Sequence, residues 1–281
     1  MTIARRSTAC SARTGLRWRD LPERFGSWIT VYKRHRRWSA DGTWQMLLTA
    51  IQTEQDGEGR VDWDISVDST TVRAHQHAAG APRTPPPASP SPAPGRKKRG
   101  RRRDKPGRSA AGHADGPAGR GGQAGECSGR SRGGFTTKIH LSADGHCRVL
   151  SLVLTPGQYG DSPQLRRVLG HIRIPRLGPG RPRTRPDSLA ADKAYSSRVN
   201  GAYLRCRKIR HTIPEPRDHA PTGPPRLGRR TTHRLRRQRY KGRNVVERAI
   251  NRLKNFRAVA TRYDKRAYIF LGTVTMAALV I

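Results

Sequence analysis

Acidic residues are scarce in this chain: 20 Asp and Glu stand against 57 Lys and Arg in 281 residues. A formal net charge of +37 repels itself in a compact fold unless a polyanion absorbs it, so nucleic acid is the partner to expect. An arginine bias of a GC-rich genome would account for part of the excess in loops. Cysteine is sparse as well. Cys10, Cys127, Cys147 and Cys206 form no Cys-x-x-Cys pair, which argues against a zinc knuckle or a disulfide framework and fits a reducing cytosol. Long hydrophobic runs are missing. The apolar tail from Tyr268 to Ile281 is too short to span a bilayer and suits a terminal helix packed in a core. With no signal-peptide pattern and no long amphipathic basic helix, the expectation is a cytoplasmic, nucleoid-associated protein without a membrane partner.

Two short helices are predicted between Trp18 and Ile51. Ser27 can cap the first, with Trp28, Val31, Tyr32, His35 and Trp38 on one stripe. Asp41 can cap the second, with Trp44, Leu47, Leu48 and Ile51 on its apolar face. Lys33, Arg34, Arg36 and Arg37 mostly fall off the first stripe. A helix-turn-helix DNA reader over residues 13–55 and a plain helical pair with a solvated basic face fit equally well. A strand follows, with Ile65 and Val67 alternating with polar neighbours and its end placed at Asp68. The stretch 80–129 contains "TPPPASPSPAP" and "RKKRGRRR". It buries almost nothing and is predicted to be a disordered basic insert.

Two β runs then flank Asp144-Gly145, a strong hairpin signal. "GDSPQLRRVLGHI" reads as a helix with Asp161 as N-cap. "DSLAADKAYSS" gives a strand ending at Asp192, "RVNGAYLRCRK" a helix and "IRHTIPEP" a last strand. A basic loop over 217–238 leads into a final helix carrying Glu247. The order implies an α/β arrangement around a mixed sheet, spanning 60–281.

"RYKGRNVVERAINRLK", Arg239 to Lys254, holds a single acid, Glu247, among six basic side chains. At ~100° per residue Tyr240, Arg243, Glu247 and Lys254 share one stripe, while Val246, Ala249, Ile250, Leu253 and Phe256 gather on another face. By spacing alone, Glu247 is most simply an ion-pair partner of Arg243. Asp68 and Asp192 at strand ends have an equally plain reading as turn or cap residues. Three carboxylates meeting at one point would instead require divalent cations.

The stripe Tyr-x2-Arg-x3-Glu-x6-Lys, with "VDSTTVRAHQHAAGA", "GRSRGGFTTKIHL", "LTPGQYGDSPQL" and "ADKAYSS", resembles the DDE transposases of bacterial insertion sequences. The likeness is to the IS-five branch of the IS-four/IS-five group, over roughly Arg13 to Arg266. It implies a ribonuclease-H-like catalytic domain with a mixed central sheet flanked by helices. Asp68, Asp192 and Glu247 would be the catalytic triad holding two Mg²⁺ ions, with Mn²⁺ able to substitute. Tyr240, Arg243 and Lys254 would contact DNA or order the site. The implied partners are terminal inverted repeats and target DNA, bound by a homodimer. The resemblance assigns no ligand role to His75 or His77, while Lys193 is as suited to a phosphate as to solvent. Met1 to Ala12 and Asp218 to Gln238 depart from the family pattern, which leaves a second expectation: a decayed transposase that only binds DNA.

Overall fold

The computed structural model describes residues 3–80, 126–131, 133–214 and 243–281. Tyr240, the 217–238 loop and most of the 80–129 insert lie outside these residues. The sheet grows from β1 (Asp64–Ala74), whose Ile65 and Val67 face one side and whose Val72 faces the other. Beyond the insert, β2 (Gly129–Ser131) pairs with the start of β3 (Gly134–Ala143). β3 runs antiparallel to β1, from Ser66 opposite Ala143 to Arg73 opposite Thr136. β4 (Val149–Pro156) returns antiparallel along β3. On the other edge of β1 lies parallel β5 (Ser188–Ala191), then parallel β6 (Arg210–Thr212). The short β7 (Thr261–Arg262) pairs with the far end of β1.

Helices cover both faces, giving the expected ribonuclease-H-like α/β fold. On the way from β1 to the insert, His75 caps the short α4 (Gln76–Ala79). On one face of the sheet, α5 (Leu165–Gly170) and α6 (Arg198–Cys206) pack Leu165, Val168 and Leu204 against Val67, Leu189 and Ala191. On the other, α7 (Asn244–Lys254) packs Val246, Ala249 and Leu253 against Ile139 and Leu141. α8 (Arg257–Ala260) and the apolar α9 (Ala267–Ala278) complete that face, Phe270 and Val274 being fully buried.

The N-terminal helices share this second core. α2 (Trp28–Ala40) and α3 (Thr43–Gly57) match the expected pair, and α1 (Ile3–Thr14) precedes them where no element was expected. Ser27 occupies the N-cap of α2 without a side-chain capping bond. Gly42, at φ 78°, takes the N-cap of α3 in place of Asp41, whose carboxylate still accepts from Thr43 N at 3.0 Å. A directed chain of hydrogen bonds joins the pair to α9. Trp44 can only donate, so His35 Nδ1 accepts its indole N–H at 3.2 Å and Nε2 donates to Thr273 Oγ1 at 3.1 Å. Thr273 in turn donates to Asp264 Oδ2 at 2.9 Å. Burial keeps His35 neutral by lowering its pKa to about 4, and pushes Asp264 up to about 6.

Three expectations need correction. β1 does not end at Asp68 but runs six residues further, because β3 continues to pair with it as far as Arg73. Asp161 holds the expected N-cap position but makes no capping bond there; its carboxylate is taken by Ser69 and Lys138 from other strands. The end of the expected insert belongs to the fold. Glu126, 1% exposed, accepts from Arg266 and from Ala267 N at 2.7 Å each, at the start of α9, and its backbone carbonyl accepts from the buried Arg262 at 2.8 Å.

Candidate active site

The parallel ladder between β1 and β5 stops at Val67 and Ala191. The next residues, Asp68 and Asp192, therefore leave it side by side, and alternation turns both toward the face covered by α7. Asp68 Oδ1 accepts from Ser69 N at 2.8 Å. Asp192 Oδ1 accepts from Lys193 N at 2.7 Å and opens the tight turn Lys193–Tyr195. Asp192 stands at the carboxyl end of β5, the place where an open α/β sheet assembles its sites, and Asp68 lies beside it within β1.

α7 supplies the other side. Val245, Val246, Ala249, Ile250 and Leu253 are buried, which pins the helix to the sheet and leaves Glu247 at the margin of its first turn. An acid there is favoured by the unpaired N–H groups of the helix start. Arg243, at the N-cap, donates from Nη2 to Glu247 Oε1 at 2.6 Å and holds Nη1 3.7 Å from Asp192 Oδ1. Burial raises the Asp68 pKa; Glu247 and Asp192 add to the rise, while the Ser69 amide and Arg243 oppose it. Asp68, Asp192, Glu247 and Arg243 thus form one electrostatic group. The expected stripe is brought together in part: Tyr240 lies outside the described residues, and Lys254 sits in the last turn of α7, half-buried.

Among the described residues no three His, Cys, Asp or Glu side chains close on a point that could hold a metal ion. The acids are arranged around the Arg243 guanidinium instead. Their chemistry nonetheless suits a hard divalent cation: all donors are carboxylate oxygens, and Asp68 is burdened by burial and by two neighbouring acids, which a cation would offset. His75 and His77 lie 4.7 Å apart, ring to ring, with His75 also against Tyr263 at 4.9 Å. Lys193 is exposed.

Residues 59–280 match the family described as "Transposase DDE domain". The chain belongs to the DDE transposases. Residues 8–48 match a second family, "Putative transposase of IS4/5 family", which places this transposase in the IS4/5 group. An uncharacterized protein of Sinorhizobium fredii is 49% identical over 72 residues, covering 26% of this chain and 54% of the relative. The insertion element IS402 uncharacterized 16.2 kDa protein of Burkholderia cepacia is 36% identical over 77 residues, 26% of this chain and 52% of the relative. The chain spans about half the length of these two curated relatives. The "Putative transposase for insertion sequence element IS6501" of Brucella ovis is 29% identical over 147 residues, 51% of this chain and 95% of the relative. No solved structure matches the transposase significantly.

Sequence reasoning passed over Ser69, Lys138 and Asn200, and gave Asp161 a local role. Most of their partners lie on other elements, Ser69 and Asp161 being 92 residues apart, so spacing did not reveal them.

Proposed function

We propose that this transposase cuts phosphodiester bonds at the ends of its insertion sequence and joins the freed 3′ hydroxyls to target DNA. The observation that carries the reading is the single guanidinium of Arg243 shared by Glu247 and Asp192, beside the desolvated Asp68. Asp68, Asp192 and Glu247 would hold two Mg²⁺ ions, or Mn²⁺, which when bound activate water or a 3′ hydroxyl and stabilise the leaving oxygen. Arg243 orients Glu247 and offsets the repulsion among the acids. Its fork holds two carboxylates at once, which a lysine's point charge does not reproduce. Lys254, Tyr240 and the basic face of α2 would bind phosphates of the terminal repeats and target, in a homodimer.

The test is incubation with DNA carrying the inverted repeats that flank the gene, with and without Mg²⁺. Cleavage at the repeat ends, absent on random duplex, supports the reading; binding without any strand cleavage under Mg²⁺ or Mn²⁺ contradicts it. That second outcome belongs to a transposase that only occupies element ends.

A further inference from the structure

Behind the three acids, on the opposite face of the sheet, lies a polar cluster that the proposed reaction leaves unused. Ser69 follows Asp68 on β1 and points to that face. Its hydroxyl donates to Asp161 Oδ1 at 2.7 Å. Lys138 of β3 donates to the same oxygen and to Tyr159 O, both at 3.0 Å. The side chains of Lys138 and Asp161 are 15% and 23% exposed, so the pair is largely shielded. His140 Nδ1 is 3.7 Å from Asp161, but burial lowers the His140 pKa to about 4 even with Asp161 acting against it. His140 is therefore neutral near pH 7, and Lys138 is the counter-charge of Asp161.

The next residue continues the connection. Asn200 of α6 is 2% exposed. Its two amide hydrogens are shared among Ser162 O, Ser162 Oγ and Tyr195 O, each 3.0 Å away. Tyr195 ends the turn that Asp192 opens. One short segment, Asp161–Ser162, is thus bonded directly to the residue after Asp68 and, through the Asn200 amide, to the turn after Asp192. The β1–β5 ladder ends one residue before both acids, so this link adds to the sheet beyond the ladder's last pair.

We propose that Asp161 and Asn200 are positioning residues that hold Asp68 and Asp192 at a fixed separation from the back of the sheet. The inference rests on reading Asp68 and Asp192 as reacting acids. A misplacement of ~1 Å at a reacting centre can cost ~10²-fold in rate, and loss of supporting partners typically costs ~10–100-fold.

The test uses the full chain and four variants: Asp161→Ala, Asp161→Asn, Asn200→Ala and the double variant Lys138→Met with Asp161→Ala. Amide hydrogen exchange and single-turnover cleavage are measured beside DNA affinity. Asp161→Ala is expected to speed exchange at Ser69–Thr71 and to lower cleavage ~10–100-fold with DNA affinity unchanged. Asp161→Asn keeps an acceptor for Ser69 and is expected to recover most of the rate. Asn200→Ala is expected to loosen Lys193–Ser196 with the same loss of rate. Should Asp161→Ala unfold because Lys138 is stranded, the double variant removes the stranded charge and is expected to show the same local loosening. Wild-type exchange at both segments overturns the proposal, as does an equal loss in Asp161→Ala and Asp161→Asn with exchange rising throughout β3 and β4. Asp68→Asn separates the two levels: cleavage retained there overturns the reading of the acids, and the positioning role with it. Cleavage lost there but intact in Asp161→Ala overturns the positioning role alone.

Discussion

Arg243 Nη2 lies 2.6 Å from Glu247 Oε1, one helical turn along α7. The same guanidinium reaches Asp192, 3.7 Å from its Oδ1, and lowers the Asp68 pKa against the effect of burial. A helix-surface ion pair would contribute only a few tenths of a kcal/mol; one group spanning three elements and three acids does more than that.

Arg243→Ala should lower cleavage ~10–100-fold, and Arg243→Lys should restore only part of it, since one ammonium cannot fork between Glu247 and Asp192. In the metal-free protein, removing the positive charge lets the Asp68 pKa rise further, which a carboxyl NMR titration reads. An unchanged Asp68 titration in Arg243→Ala would remove Arg243 from the group.

Asp68 carries a stability cost that its function would explain. Its folded pKa is raised, chiefly by burial, so its contribution to stability is fully present below the ordinary carboxylate pKa and is lost as pH rises through the folded value. Asp68→Asn should therefore melt higher than wild type at neutral pH, with the gap shrinking toward acid. Thermal melts from pH 4 to 8 measure this. A lower melting temperature at every pH would contradict it.

His35 titrates in the opposite sense. Its pKa falls from 6.5 to about 4 in the fold, so its contribution is present above pH 6.5 and lost as pH falls through 4. Relative to His35→Leu, which cannot titrate, wild type should lose roughly 3 kcal/mol over that window. Asp264 shifts the other way, but it is common to both chains and largely cancels from the difference. Urea unfolding at several pH values reads the result, and a flat difference would contradict a His35 pKa lowered by burial.

DNA binding by a chain of charge +37 should weaken steeply with salt, linearly in log–log form. Lys254→Ala should weaken binding to all sequences alike and lower the slope by about one. A slope unchanged by Lys254→Ala would place that side chain away from the phosphates.

Much of this was legible in the residues. Asp192 ends a strand as "SLAAD" suggests, the hairpin turns at Asp144-Gly145, and the apolar tail forms the buried α9. The rest depended on long-range contacts. β1 continues past Asp68 through "STTVRA", where only Val72 is buried and the strand is fixed by β3 rather than by its own pattern. α1 has a polar sequence and seats the small Ser7, Thr8, Ser11 and Ala12 inward, which leaves almost no apolar periodicity to read. Glu126 looked like the end of a low-complexity insert because its role, holding Arg266 and the start of α9, needs partners some 140 residues away.

The most direct test of the three acids is strand cleavage of DNA with the flanking inverted repeats, comparing wild type with Asp68→Asn, Asp192→Asn and Glu247→Gln at equal, verified DNA occupancy. Each single variant is expected to bind the repeats as wild type does and to lose cleavage by several orders of magnitude, since a metal-holding group that acts as a unit fails when any member is neutralised. Wild-type cleavage in any one of the three would contradict the triad.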